Sequence, residues 1–336
     1  MKIVVTGGAG YIGLHIIEKL LTLNHEILVI DNFVTSNQND LRKVEIITNK
    51  KINIFPLDIK KTNHLITILK NFNPNVIIHL AGYKYVSESI KKPIIYYENN
   101  VTSTISLLRA MEEVNCNNII FSSSATVYGI PKYLPYDEEH PKNPTNPYGN
   151  SKWMIENILM DWCKGFKNRK ALSLRYFNPV GAHKSKLIGE KYKENEFNIM
   201  PSICKVIAGK KKQLNIFGND YDTNDGTAER DYIHILDLTN AHILAIEYLK
   251  KINSGYEAFN IGTNKTLSVL QLVQLFEKIS GSKIPIKFKP KRKGDLAKFW
   301  TNPKKAVSKL KWNPKYSHEE MCLDTWNYIN EEKTKK

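Results

Sequence analysis

The chain opens on KIVVTGGAGYIG. A β-branched run, Lys2–Thr6, feeds directly into a glycine turn, and an apolar stretch with helical spacing, His15–Leu23, follows. Gly8, Gly10 and Gly13 fit G-x-G-x-x-G, while Gly7, Gly10 and Gly13 fit G-x-x-G-x-x-G. Glycines in such a turn let the backbone bend tightly and approach a pyrophosphate at the positive end of a helix. The pattern alone is weak, and its context carries the weight. It follows a strand, opens a helix, and the next strand expected, Glu26–Asp31, ends in an acid. Asp31 there can accept hydrogen bonds from adenosine ribose hydroxyls and repel a 2′-phosphate, which favours NAD over NADP. Glycines that serve the turn alone, without a ligand, are the alternative.

The rest of the N-terminal half repeats the strand–helix theme. Ile52–Pro56, Val76–Leu80, Asn118–Ser123 and Ala171–Tyr176 read as buried strands, and Leu65–Phe72, Val101–Val114 and Lys152–Trp162 as helices between them. This alternation predicts an α/β fold, a Rossmann-like doubly wound parallel sheet. After Phe177 the alternation weakens. A polar, turn-prone segment, His183–Asn198, leads into helices expected near Pro201–Ala208, Leu236–Leu249, Val269–Ser280 and Glu319–Ile329. Ala258–Ile261 reads as a strand that returns to the first sheet. The expected organisation is a cofactor domain over 1–178, joined by later segments, and a smaller mixed α/β substrate domain over 179–336. The tail EEKTKK reads as solvated.

Composition narrows the partners. A length of 336 residues, 42% hydrophobic and 24% charged, is that of an ordinary globular chain with room for about two domains. No apolar run reaches a membrane span, and the N-terminus lacks a signal-peptide core, so no membrane partner and a cytoplasmic location are expected. Cys116, Cys163, Cys204 and Cys322 are widely spaced, which suggests neither a metal site nor a disulfide framework. The net charge of +16, from 49 Lys+Arg against 33 Asp+Glu, is dispersed along the chain. The densest run, Lys210-Lys211-Lys212, has no aromatic platform, so an anionic small molecule is preferred to nucleic acid as the partner.

Two further stretches carry chemistry. In NPYGNSK, Asn146 suits a helix N-cap and Pro147 the first helical position. Tyr148 and Lys152 are then neighbours on one helix face, with Tyr148 at the positive end of the helix dipole. A phenolate near pH 7 requires a shift of about 3 pKa units, and an ammonium and a helix N-terminus both push that way. In NIIFSSSATVYG, Ser122, Ser123 and Ser124 stand at the carboxyl end of a strand, where open α/β sheets bind ligands. Ser124 can hydrogen-bond a substrate hydroxyl and relay its proton. A polar strand end and an accidental Tyr–Lys pair are the bland readings.

Together GGAGYIG, the Ser124 strand end and Tyr148-x-x-x-Lys152 resemble the extended short-chain dehydrogenase/reductase family. HLAGYKYVSESIKKPIIYYENNV, FSSSATVYG, SLRYFNPVGAH, IFGNDYDTNDGT, RDYIHILDL and GDLAKFW resemble its UDP-glucose 4-epimerase branch, over about residues 1–330. The resemblance implies an NAD site lined by Gly7, Gly10, Tyr11, Ile12, Gly13, Asp31, Asn32, Asp58, Ile59, Lys84, Asn99, Ser122 and Phe177. It implies that Asn178, Asn198, Ile216, Phe217, Arg230, Arg292 and Asp295 hold a UDP-sugar, with Phe299 bordering the sugar. The partners it implies are UDP-glucose and UDP-galactose, with a homodimer as the assembly to test. The catalytic set it implies is Tyr148, Lys152 and Ser124. Two departures stand out: Ala228 and Glu229 precede Arg230, placing an anion in sequence beside it, and the loop HKSKLIGEKYKENEF is unusually basic.

Two rivals share the fold. A nucleotide-sugar 4,6-dehydratase needs an acid/base pair beside the serine strand. Such enzymes usually show Thr-Asp-Glu there, and this chain has Ser-Ser-Ala after Ser122. An NAD-sensing regulator without turnover tends to lose the Tyr/Lys pair, which this chain keeps.

Overall fold

In the computed structural model, which describes residues 1–191, 198–292 and 294–334, thirteen strands and eleven α-helices alternate through most of the chain. The strands are β1 (Lys2–Thr6), β2 (Glu26–Asp31), β3 (Asn53–Pro56), β4 (Val76–His79), β5 (Asn118–Ser124), β6 (Lys170–Tyr176), β7 (Asn178–Val180), β8 (Leu214–Phe217), β9 (Glu229–His234), β10 (Gly255–Ile261), β11 (Thr266–Ser268), β12 (Ile286–Lys289) and β13 (Lys298–Phe299). The helices are α1 (Tyr11–Thr22), α2 (Asn39–Thr48), α3 (Thr62–Phe72), α4 (Val86–Lys91), α5 (Pro93–Tyr97), α6 (Ser103–Glu113), α7 (Pro147–Lys164), α8 (Ile199–Ile207), α9 (Ile235–Leu249), α10 (Val269–Ser280) and α11 (His318–Thr334).

Seven strands form one parallel sheet in the order β10-β6-β5-β4-β1-β2-β3. The period of two along β1 explains why both faces are covered. Ile3 and Val5 point into a core with Leu14, Ile17 and Leu20 of α1 and Leu238 and Ala245 of α9. Val4 points the other way, into a core with Leu65 and Leu69 of α3, Leu107 and Met111 of α6, and Ile155 and Leu159 of α7. A strand buried on both faces has to be apolar throughout, which is why KIVV and EILVI read as continuous runs. Each such side chain contributes about 1.5–3 kcal/mol when taken from water.

The late strand returns as expected: β10 pairs with β6 at the sheet edge, and α9 packs against α1. A separate core gathers Ile203 and Cys204 of α8, Leu214 and Ile216 of β8, Tyr232 of β9, Leu272 and Phe276 of α10, and Met321 and Ile329 of α11. There β9 pairs in parallel with β7 and β13 and antiparallel with β11, while β8 pairs with β12. Among the described residues no helix is long and apolar enough to cross a membrane.

Three expectations need correction. α2, α4 and α5 were not foreseen, because each is short and rich in polar or β-branched residues. The expected helix from Val101 begins at Ser103, after a π-turn over Glu98–Thr102. The C-terminal helix continues to Thr334 rather than fraying after Ile329, and Glu332 on it pairs with Lys43 at 3.1 Å. Residues 192–197 of the basic loop and the last two lysines lie outside the described residues.

Candidate active site

The strand order reverses at β1. The chain leaves β1 toward β2 and β3, then crosses to β4, β5 and β6 on the other side. Open α/β sheets have their ligand crevice at the carboxyl ends of strands beside such a switch. A cavity of about 1160 Å³ lies there, walled by the strand ends on one side and by β7, β9 and β13 on the other.

The glycine turn is built for close approach. Gly7 has φ +69°, and a Cβ on it would sit 2.6 Å from the Ala81 amide nitrogen. A Cβ on Gly13 would meet the Gly8 carbonyl at 2.5 Å, so α1 can start against the turn only without one. Gly10 is the extended N-cap of α1, and the amides of Tyr11 and Ile12 follow it at the cavity wall. Asp31 closes the turn from β2: one carboxylate oxygen accepts the Ala9 amide at 3.0 Å, and the other accepts the Phe33 amide and the Ser36 hydroxyl, both at 2.9 Å. These residues fit a dinucleotide. The helix start offers free amides to a pyrophosphate, and Asp31 Oδ2 keeps acceptor capacity for ribose hydroxyls.

The helix carrying Tyr148 begins as its sequence requires. Asn146 accepts the Gly149 amide at 2.9 Å, and Pro147 takes the first helical position. Lys152 is buried, and its ammonium donates to the Ser122 carbonyl at 2.8 Å. It stands 5.8 Å from the centre of the Tyr148 ring. Ser124 reaches the Tyr148 phenol, while its own oxygen accepts the amide and hydroxyl of Thr126 at 3.2 and 2.9 Å.

The electrostatics differ from the sequence expectation. Burial raises the Tyr148 pKa above its ordinary value, and the Ser124 hydrogen bond and the Lys84 charge only partly offset this. Burial also pushes the Lys152 ammonium down to about 7, against the Glu156 carboxylate. Loss of water penalises both charged forms at once, so the protein groups alone leave Tyr148 a phenol at neutral pH.

On the opposite wall, Arg292 donates to Asp295 at 2.8 Å and lies over the Phe217 ring at 4.6 Å. Arg230 donates to the Glu229 carbonyl at 2.9 Å, and burial lowers its pKa, with Tyr232 and Asp295 the leading opposing charges. Among the described residues no carboxylate stands within ion-pair distance of Arg230. A guanidinium in that condition favours an anionic ligand. Glu229 does not compete for it, because neighbours along β9 project to opposite faces.

The cavity brings together every sequence-predicted site residue except Ile216 and Phe217. The Ile216 side chain is in the core around β8. Phe217 lies under the Arg292 guanidinium, which stands 4.6 Å from the ring centre. Two contacts had no sequence signal: Lys84 pairs with Glu190 at 2.8 Å, and Lys191 pairs with Asp40 at 2.7 Å. Both partners come from the basic loop, and only the fold brings them to the cleft. Among the described residues no group of three or more His, Cys, Asp or Glu is placed to hold a metal.

Comparison with known proteins decides the family. The model of the family described as GDP-mannose 4,6 dehydratase matches residues 4–325. The chain is 45% identical to UDP-glucose 4-epimerase of Bos taurus, over 97% of this chain and 96% of that one. It belongs to the UDP-glucose 4-epimerase family. Within that family it superposes with a TM-score of 0.97 on the crystal structure of the Stenotrophomonas maltophila epimerase with bound NAD and formylated UDP-arabinopyranose, at 35% identity and 100% coverage of both chains. The Bifidobacterium longum epimerase in complex with NAD+ and UDP gives 0.95 at 40% identity, with 98% of each chain covered.

Proposed function

We infer that the protein interconverts UDP-glucose and UDP-galactose by inverting C4, with NAD retained through the cycle. The observation that carries this reading is the convergence of Tyr148, Ser124 and Lys152 on one end of a cleft whose opposite wall holds Arg230, which among the described residues has no carboxylate partner.

Arg230 and Arg292 take the diphosphate, and Asp295 the ribose hydroxyls of the uridine. Ser124 orients the sugar 4-hydroxyl toward Tyr148, whose phenolate removes the proton. Bound NAD supplies a hydride acceptor for C4 and, when oxidised, a positive charge that favours the phenolate. The 4-keto sugar turns about its link to the diphosphate and presents its other face; the hydride then goes back to C4 on that face as Tyr148 returns the proton to the 4-oxygen. Lys152 supports the phenolate and can reach the nicotinamide ribose.

The dehydratase description of the matched family model invites a second reading, but the strand end argues against it. Ser123, Ser124, Ala125 and Thr126 carry no carboxyl, so the acid/base pair for eliminating water is missing from that position. The decisive assay adds UDP-galactose to purified protein without any added nucleotide. UDP-glucose should form, and denaturation should release NAD rather than NADP. Release of NADP would overturn the role of Asp31, and a requirement for stoichiometric added nucleotide would overturn the closed cycle.

We also propose that two copies pair. Ile94 on α5, Ile105 on α6 and Met154 on α7 are exposed apolar residues on helices of the Rossmann-like layer, at 72%, 37% and 47% exposure. A sedimentation mass of about 77 kDa, twice the 38.7 kDa chain, is expected, and a monomer mass at micromolar concentration would contradict it.

A further inference from the structure

One turn beyond Lys152 on α7 lies Glu156, a carboxylate with no exposure to solvent. Burying a carboxylate is costly unless it is paired and fully hydrogen-bonded. Glu156 meets that condition. Arg175 of β6 donates from Nε to Oε1 at 3.0 Å and from its terminal nitrogen to Oε2 at 2.6 Å. The Tyr256 hydroxyl of β10 donates to Oε2 at 2.8 Å, and the Ser123 hydroxyl donates to Oε1. Arg175 also donates to the Tyr128 hydroxyl at 2.8 Å, which passes a hydrogen bond to Asn260 at 2.6 Å.

A network of this kind could serve the fold alone, but its attachment points tie it to the reacting groups. Ser123 lies between Ser122, whose carbonyl receives the Lys152 ammonium, and Ser124, which reaches the Tyr148 phenol. Glu156 is itself four residues past Lys152 and eight past Tyr148 on the same helix. One side chain therefore joins the helix that carries the base to the strand end that carries the relay.

We propose that Glu156 is a positioning residue for the epimerisation: its carboxylate locks β5 to α7 through Ser123 and so fixes where the Lys152 ammonium stands, against Ser122 and beside Tyr148. This rests on the reading of Lys152 given above. The charges around the ammonium agree with it. Tyr148 and Glu156 face it from its own helix. The Phe121 ring lies 4.8 Å away on β5, and His79 of β4 is kept neutral by burial, its pKa down to about 3. Gly82, after β4, also faces it: a Cβ there would come within 3.8 Å of Lys152 Nζ and 3.2 Å of Asn100 Oδ1. Around Glu156 stand Arg175, Tyr256 and Tyr128, with Lys142 and Glu138 further out. Against the burial that drives the Lys152 ammonium down to about 7, the Glu156 carboxylate is the opposing charge.

The sign follows. Removing the carboxylate makes Lys152 lose its proton at lower pH, so the alkaline limb of turnover should move down. The test is the pH dependence of kcat for UDP-galactose conversion in wild type, Glu156→Gln, the double variant Glu156→Gln/Arg175→Gln, and Lys152→Met. Glu156→Gln is expected to keep its NAD and to shift the limb by about one unit, roughly a tenfold loss at pH values above both limbs. The double variant leaves no buried unpaired cation, so it carries the test if the single variant does not fold; because the Arg175 charge goes with the carboxylate, it should show a shift in the same direction but smaller. A uniform loss at every pH with an unmoved limb, in whichever of the two folds, would make Glu156 structural only and overturn the proposal. Wild-type activity in Lys152→Met would instead overturn the underlying role of Lys152.

Discussion

Tyr148→Phe is expected to lower turnover by roughly 10²–10⁴-fold, the range that general-base catalysis supplies. The fold and the bound NAD should be unchanged. Phe keeps the ring where Tyr148 sits at the start of α7, and the Asn146 cap and the Lys152 hydrogen bond to Ser122 do not involve the phenol oxygen. The phenol is what the variant removes, and with it the group that Ser124 reaches. A loss under about tenfold would contradict the assignment of Tyr148 as the base. The ligand-free electrostatics sharpen this expectation. Since burial keeps Tyr148 protonated without ligand, the phenolate has to arise in the loaded site. Protein stripped of NAD should therefore show no phenolate absorbance near pH 7.

The second large effect concerns the sugar. Phe299 on β13 pairs in register with Arg230 on β9 and lines the cavity. Its ring is held between Phe177 and Tyr136, each with centroids 5.1 Å away. It is thus both a packed core contact and part of the wall. A ring clamped in this way cannot give way to a 2-acetamido group without strain of roughly 1–3 kcal/mol. UDP-N-acetylglucosamine should then react about one to two decades more slowly than UDP-glucose. Phe299→Cys should raise the rate on the N-acetylated sugar while activity on the plain sugars survives. Equal rates on both sugars in wild type would contradict the steric limit. So would a Cys variant that gains nothing on the N-acetylated sugar.

Where sequence reasoning succeeded and where it stopped follows from the range of the forces involved. The glycine turn, the Asn146–Pro147 helix start and the buried strands are local. Each is set by backbone conformation, a capping side chain or a run of apolar residues, and all of these are written in adjacent letters. The return of β10 to the sheet edge was also legible, because Ala258–Ile261 is apolar enough for burial on both faces. Ile216 shows the limit: the resemblance gives it a place among the UDP-sugar residues, and only packing shows that its side chain belongs to the core around β8. The pairs Lys84–Glu190 and Lys191–Asp40 join residues more than a hundred positions apart and carry no periodic signal. The acidity of Tyr148 is hidden from the sequence for a related reason. Spacing gives adjacency, but the pKa depends on how much water the fold removes, and here burial outweighs the neighbouring charge.

With Tyr148 as base and the hydride kept inside the protein, the reaction is a closed redox cycle at C4. UDP-galactose carrying deuterium at C4, incubated with purified protein and no added nucleotide, tests it most directly. The expected product is UDP-glucose with the deuterium still at C4 and none released to water, because the hydride leaves and returns without meeting solvent. Loss of the label to water, or a 4-keto-6-deoxy product in place of UDP-glucose, would contradict it.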